Sequence, residues 1–218
     1  MMSSSEQSGG SLSARRGGVT MVEGEAAPEG LRDPRAVPAP WVAEVDAENR
    51  FRRWVSRAAV ARAALVHRSV QVAIFSRSGA LLLQRRSAAK RFCPGHWDLS
   101  CAGHIDAGDY AGDPDTELDL LYSLAAAREL REELGIEVPL TFLDYFAPRE
   151  GVHEEHFALF YGHSEGPFEL QESEVDEVAW FDRSAWDTLC ATPGELLTPS
   201  LRLLAPQLLA LSTSRSAP

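Results

Sequence analysis

Three cysteines in 218 residues, Cys93, Cys101 and Cys190, cannot form an even disulfide set. That odd count is expected of a reducing compartment. Long apolar runs are missing as well. No stretch of about 18 apolar residues exists, so no transmembrane helix is expected. The first residues lack the apolar core of a signal peptide. Arg15 and Arg16 lie in a Ser-rich start, but Glu6 and the lack of an amphipathic pattern speak against an organellar presequence. Positive charge is also in deficit. Lys and Arg total 21 against 32 Asp and Glu, a net charge of −11, which excludes a general nucleic-acid-binding surface. A cytoplasmic protein is expected, with no membrane and no nucleic acid polymer as partner; a homodimer is compatible with the chain.

What is present suffices for one core, since 44% of the residues are hydrophobic. Residues 1–38 are rich in Ser, Gly, Pro, Ala and charge and are expected to be a disordered tail, with Met21 an alternative start. A domain at 39–212 and a flexible end at 213–218 follow. Alternation of apolar and polar residues predicts strands at 41–45, 67–75, 80–85, 97–102, 140–146, 155–162 and 177–181. Residues 46–49 and 76–79 read as turns. Helices are expected within 52–65, from about 120 to 134, and at 184–190 and 199–211. Strands mixed with helices in this order predict an α/β fold, a mixed sheet covered by helices on its faces.

The densest chemical signal is Ala125-Ala-Ala-Arg-Glu-Leu-Arg-Glu-Glu-Leu-Gly-Ile136. On a helix, Glu129, Glu132 and Glu133 share one side within about a turn. Leu120, Leu124, Ala127, Leu130 and Leu134 fall on the other, read as the apolar back, and Gly135 reads as a left-handed C-cap. Carboxylates this close repel one another. A hard divalent cation with oxygen ligands is the natural occupant of such a front, usually completed by substrate phosphates.

Arg128-Glu129-Leu130-Arg131-Glu132-Glu133-Leu134-Gly135-Ile136 resembles the second half of the box of the Nudix hydrolases at every specified position. Gly103-His-Ile-Asp-Ala-Gly-Asp109 resembles the first half, with Asp109 where the family has Glu. Eighteen residues rather than seven separate the halves, an insertion of 11. Further segments, among them Leu81-Leu-Leu-Gln-Arg-Arg-Ser87, Pro94-Gly-His-Trp-Asp98, Ser100-Cys-Ala-Gly-His104 and Glu177-Val-Ala-Trp-Phe181, resemble the branch related to isopentenyl-diphosphate isomerase. The resemblance covers roughly residues 41–210 and implies a Nudix-type α/β/α sandwich.

That branch implies two activities. The isomerases place a catalytic Cys immediately before the Gly matching Gly103, where this chain has Ala102; Cys101 is one step early, on the opposite strand face. They also use a His at the position of Val60. The intact Arg128 to Glu133 pattern belongs to the hydrolases. A divalent-metal-dependent hydrolase of a small-molecule diphosphate linkage, X–P–O–P, is therefore expected, with an isomerase-like enzyme and a non-catalytic binding module as alternatives. The resemblance implies Mg²⁺ or Mn²⁺ held by Glu129, Glu132, Glu133 and the Gly103 carbonyl. It implies Arg128 holding the acidic loop, and Glu129, Glu132, Arg128 and Glu155 in the catalytic group, with Glu154 or Glu174 as further candidates. Arg85, Arg86, Lys90 and His104 are the candidate substrate contacts, beside Arg91. His67 and His104 also read as structural hydrogen-bonders. Cys93, His96, Cys101 and His104 can alternatively be read as four zinc ligands.

Overall fold

The computed structural model describes residues 26–215, with side chains described as far as residue 210. The expectations for residues 1–25 and 216–218, including the disordered start and Met21, lie outside the described residues. 

Strand β1 (Trp41–Val45) turns at 46–49 into β2 (Phe51–Ser56), its antiparallel partner, and only then does the short helix α1 (Arg57–Ala63) begin. The helix expected within 52–65 is thus half strand, because Trp54 and Val55 are held by the β1 ladder and buried. Ser56 caps α1 by accepting from Ala59 N. Strand β3 (His67–Phe75), buried along its whole length, is the hub. It pairs in parallel with β8 (Glu155–His163) and antiparallel with β6 (Cys101–His104), and it touches β1 and β4 (Leu81–Arg86). β4 in turn carries β5 (Trp97–Leu99) and β9 (Val175–Phe181), and β7 (Thr141–Phe146) pairs with β8. The sheet is mixed, as expected.

The strand expected over 97–102 is cut at Ser100. Its hydroxyl donates to Leu82 O at 2.6 Å and accepts from Ile74 N at 2.8 Å, so it satisfies two buried backbone groups where the ladder is interrupted. Ser100→Ala should cost about 1–3 kcal/mol in urea unfolding, the penalty of an unpaired buried amide.

Helices cover both faces. α2 (Leu118–Leu134) packs its Leu121, Ala125, Ala126, Leu130 and Leu134 on one, with Val70, Val72 and Ile74 of β3 beneath. α3 (Arg183–Ala191) and α4 (Pro199–Arg215) cover the other, where Leu201, Leu204 and Leu208 meet Ala73, Phe75, Leu81 and Leu83. α4 runs beyond the end expected at 211. The boundary expected at residue 38 also moves, because residues 26–38 lie against the domain. Ala27 is buried and donates to Trp54 O, and the Trp54 indole donates to Arg32 O. The low-complexity composition concealed these few anchoring contacts.

The eleven extra residues form a short loop and the first turns of α2. Arg68, fully buried on β3, holds that loop. It donates to Asn49, to Tyr110 Oη, to Pro114 O and to Asp115, and its guanidinium lies 5.9 Å from the Tyr110 ring. Arg32 adds a bidentate pair to Asp113 at 2.7 Å and a bond to Asp115.

Candidate active site

α2 sets the carboxylates, and not in the orientation expected. Glu129 and Glu133 are buried with the helix's sheet-facing side, only Glu132 is exposed, and Leu120, Leu124 and Ala127 point to solvent. The apolar back read from the sequence is therefore partly an outer surface. Only Leu130 and Leu134 of that set reach the core. Gly135, at φ +67°, ends the helix as a left-handed cap.

Space for the two inward glutamates comes from Gly103 on β6. A Cβ at Gly103 would lie 1.9 Å from the Glu129 carboxyl carbon, so only glycine lets that carboxylate lie against the strand. Glu133 accepts from Gln84 Nε2 at 3.0 Å and from Ala102 N at 3.3 Å. Burial, reinforced by the charge of Glu129, pushes the Glu133 carboxyl up to about 7. Burial raises Glu129 too, against the opposing pull of Arg128.

Arg128 ties the pieces together. Its Nε and Nη2 grip Asp109 at 2.9 and 2.8 Å, Nη1 donates to Glu129 and Glu132 at 2.9 and 3.0 Å, and Nη2 donates to His104 O. Burial opposes its charge, but the bonds to Asp109 and the neighbouring glutamates outweigh that and raise its pKa. Asp109, one methylene shorter than Glu, still forms the fork because a one-turn 3-10 helix (Ala107–Asp109) brings it in; its carboxylate also accepts from Asp106 N.

On the opposite sheet face a second polar group gathers. Ser69 lies opposite His104 in the ladder, and Glu155 is beside His67. The His67 and His104 rings stack at 4.9 Å, and ligating atoms of His67, His104 and Glu155 all lie within 4.8 Å of one another. His67 Nδ1 bonds the Leu65 carbonyl, which can only accept, so Nδ1 carries a proton. Its Nε2 is buried without a hydrogen-bond partner, 3.4 Å from Glu155 Oε1. Ser69 Oγ donates to the other Glu155 oxygen. Burial and the neighbouring His67 push His104 down to about 3; the two histidines hold Glu155 at about 2 in spite of its burial. The structural reading of the two histidines missed this convergence, because only the pairing of β3, β6 and β8 brings 67, 104 and 155 together. The zinc reading fails for the same reason in reverse. Cys101 lies in the core under α2, and His104, three positions on, points to the other face.

The basic stretch disperses. Arg85 donates to Gly95 O and Glu177 and lies over Trp97. Arg86 donates to Phe92 O and Asp98, whose other oxygen accepts from Thr198 at the start of α4. Arg91 lies over Phe92. Lys90 pairs with Glu174 and is close enough to both Glu133 and His104 to bias their protonation.

Comparison with known proteins places the chain in a family. The model of the NUDIX domain matches residues 65–196. A Nudix hydrolase of Yersinia pestis is 34% identical over 175 residues, covering 79% of this chain and 90% of its own. Nudix hydrolase YfcD of Escherichia coli K12 is 34% identical over 176 residues, covering 80% and 90%. The crystal structure of DR0079 from Deinococcus radiodurans superimposes with a TM-score of 0.61 at 20% identity, covering 81% of this chain and 99% of that one, a likeness of fold. Glycine-backed glutamates, their arginine clamp and this family match lead to one conclusion: the chain belongs to the Nudix hydrolase family.

Proposed function

We propose that this enzyme cleaves a diphosphate linkage, X–P–O–P, in a small organic or nucleotide-like diphosphate, with Mg²⁺ or Mn²⁺ held by Glu129, Glu132, Glu133 and the Gly103 carbonyl. The observation that carries this is a pair of buried carboxyls one turn apart on α2, Glu129 against Gly103 and in the grip of Arg128, and Glu133 beside it. Two neighbouring buried carboxyls, one packed against Gly103, are relieved of their mutual repulsion by a hard cation that takes oxygen ligands. A bound ion supplies charge neutralisation on the phosphate oxygens and a more acidic water. Of the chain's own groups, Glu129 would orient or deprotonate the attacking water, and Arg128 keeps Glu129 and Glu132 in register with the 103–109 loop. Lys90 and His104 are the proposed substrate contacts, and Arg85 and Arg86 support the loop that carries Lys90. Glu155, on β8, is the further proposed catalytic group and stands with His67 and His104 on the sheet face away from α2. Among the described residues, no helix is long and apolar enough to cross a membrane.

An isomerase-like reading needs a thiol on the His67, His104 and Glu155 face. That face carries Ala102, opposite Gln71, and Cys101 is buried under α2 with its pKa well above the usual thiol range. Resemblance to the isomerase branch rests on the sequence segments alone.

The test is a panel of diphosphate compounds with Mg²⁺, with Glu132→Gln as control. Hydrolysis lost at least about 100-fold in the variant supports the proposal, in line with the effect of removing a charged group that acts on the transition state. Tight ligand binding without turnover of any compound would favour a binding module. Interconversion of isopentenyl and dimethylallyl diphosphate without phosphate release would favour the isomerase.

The ion itself is tested through pH. Glu133 titrates higher folded than unfolded, so the folded state holds the extra proton. Its contribution to stability is complete below the ordinary carboxylate range and declines as pH rises through about 7. Metal-free protein should lose thermal stability over that window, Mg²⁺ should restore it, and Glu133→Gln should flatten the profile. Calorimetry should show weakened Mg²⁺ binding in Glu133→Gln; unchanged binding would refute the ligand assignment.

A further inference from the structure

Among the described residues six large hydrophobic side chains are exposed, and four of them lie on α2 and β7: Leu120 and Leu124 at 53% and 57%, Phe142 and Tyr145 at 45% and 46%. The two elements adjoin. Tyr145 donates to Asp119 at the start of α2, its ring meets Tyr122, and Phe142 lies 4.6 Å from Tyr145. At 100° per residue Leu120, Leu124, Ala127 and Arg131 share one outer stripe, with Glu117 at its N-terminal end. All five are exposed, and Glu117 makes no capping bond with its side chain. Beside Leu120 and Leu124 runs a shallow open groove, walled by Tyr110, Asp113, Thr116 and Glu117.

We infer that this outer stripe of α2 is the contact between two copies of the chain, α2 against α2, antiparallel about a two-fold axis at Leu124. The stripe is complementary to itself in that arrangement. It reads acid, leucine, leucine, small residue, base from one end to the other. Turning a second copy by 180° about Leu124 places Glu117 of each copy against the partner's Arg131, twice by symmetry. Leu124 meets its own counterpart, and Leu120 lies over the partner's Ala127, whose small side chain admits close approach. The helix dipoles oppose, which favours antiparallel packing. Within one copy Arg131 pairs only with Glu137, at 3.2 Å and exposed to solvent on both sides. Such a bond contributes little and can be exchanged for Glu117. Net charge argues for the same place: two chains each carrying −11 repel over most of their surfaces, so a self-contact needs a face where acid and base alternate.

The test is sedimentation velocity of the full chain over a range of concentrations. A monomer–dimer equilibrium is expected. Leu124→Glu, which sets two carboxylates on the axis, should raise the dissociation constant at least about tenfold, as for a central interface residue. Leu120→Glu repeats the test one turn away, and circular dichroism melts verify that both variants fold. Glu117→Arg and Arg131→Glu should each weaken the dimer by several-fold, and together should restore it, because the pair is then reversed rather than broken. A monomer at every concentration would overturn the inference. So would a dimer unaffected by Leu124→Glu and Leu120→Glu, or charge reversals that fail to compensate.

Discussion

Replacing Gly103 by alanine should leave the enzyme folded and nearly inactive. The new methyl group would meet the Glu129 carboxyl at 1.9 Å, with both carboxylate oxygens at 2.1 and 2.3 Å. The three nearest atoms all belong to the end of the Glu129 side chain, so moving Glu129 aside relieves the worst of the conflict. The stability loss should stay within about 1–3 kcal/mol, the usual range for overpacking. Turnover should fall about 100-fold or more, because Glu129 leaves its bond from Arg128 and the position in which we propose it holds the cation. Calorimetry with Mg²⁺ should show weakened binding in parallel. The pairing Gly103→Ala with Glu129→Ala separates the two effects. It should recover the lost stability, since the clash is gone, while activity stays at the floor. If Gly103→Ala retained full activity, the close approach of β6 to Glu129 would have no bearing on catalysis.

Arg68→Met should produce the largest stability loss. Methionine fills a similar apolar volume but leaves Pro114 O, the Asn49 carbonyl and side-chain oxygen and Tyr110 Oη without the Arg68 donor, and takes one of several donors from Asp115. Removing one partner from a buried charged network costs about 3–5 kcal/mol. At about 2–4 °C per kcal/mol for a chain of this size, the melting temperature should drop by roughly 10 °C. The damage should be localised in hydrogen exchange. Amides of the 110–117 loop should lose protection before those of β3 and β8. If the loop retained its protection in Arg68→Met, Arg32 and its pairs with Asp113 and Asp115 would be the true anchor. Arg32→Met then becomes the informative variant. Activity should change less than stability, because Arg128 takes its loop contacts from Asp109 and His104 rather than from the insertion.

Much of this was readable along the chain. β1 and β3 begin and end where alternation of apolar residues places them. The α2 carboxylates, the clamp residue Arg128 and the terminal Gly135 are local in sequence, and 3.6-residue periodicity is enough to group them. The insertion between the halves of the box was legible as a length. The β2 strand was not, because Arg52 to Ser56 alone resemble a helix start and only the β1 ladder makes them a strand. Nor were the ordered contacts of residues 26–38, which rest on a few bonds to Trp54 and the insertion.

The deeper division concerns which way things face. By itself the sequence determined that one helix carries three glutamates, a clamp arginine and enough leucine to bury, since those are properties of spacing. It could not determine which side of α2 meets the sheet. Amphipathicity points leucines inward and carboxylates outward, yet here Glu129 and Glu133 face the strands and Leu120 and Leu124 face solvent. Tertiary structure reversed that preference because Gly103, Gln84 and the Ala102 amide offer the carboxylates space and donors that solvent would otherwise supply. The gathering of His67, His104 and Glu155 was likewise decided by strand pairing alone, since nothing in linear spacing relates residues brought together by three different strands.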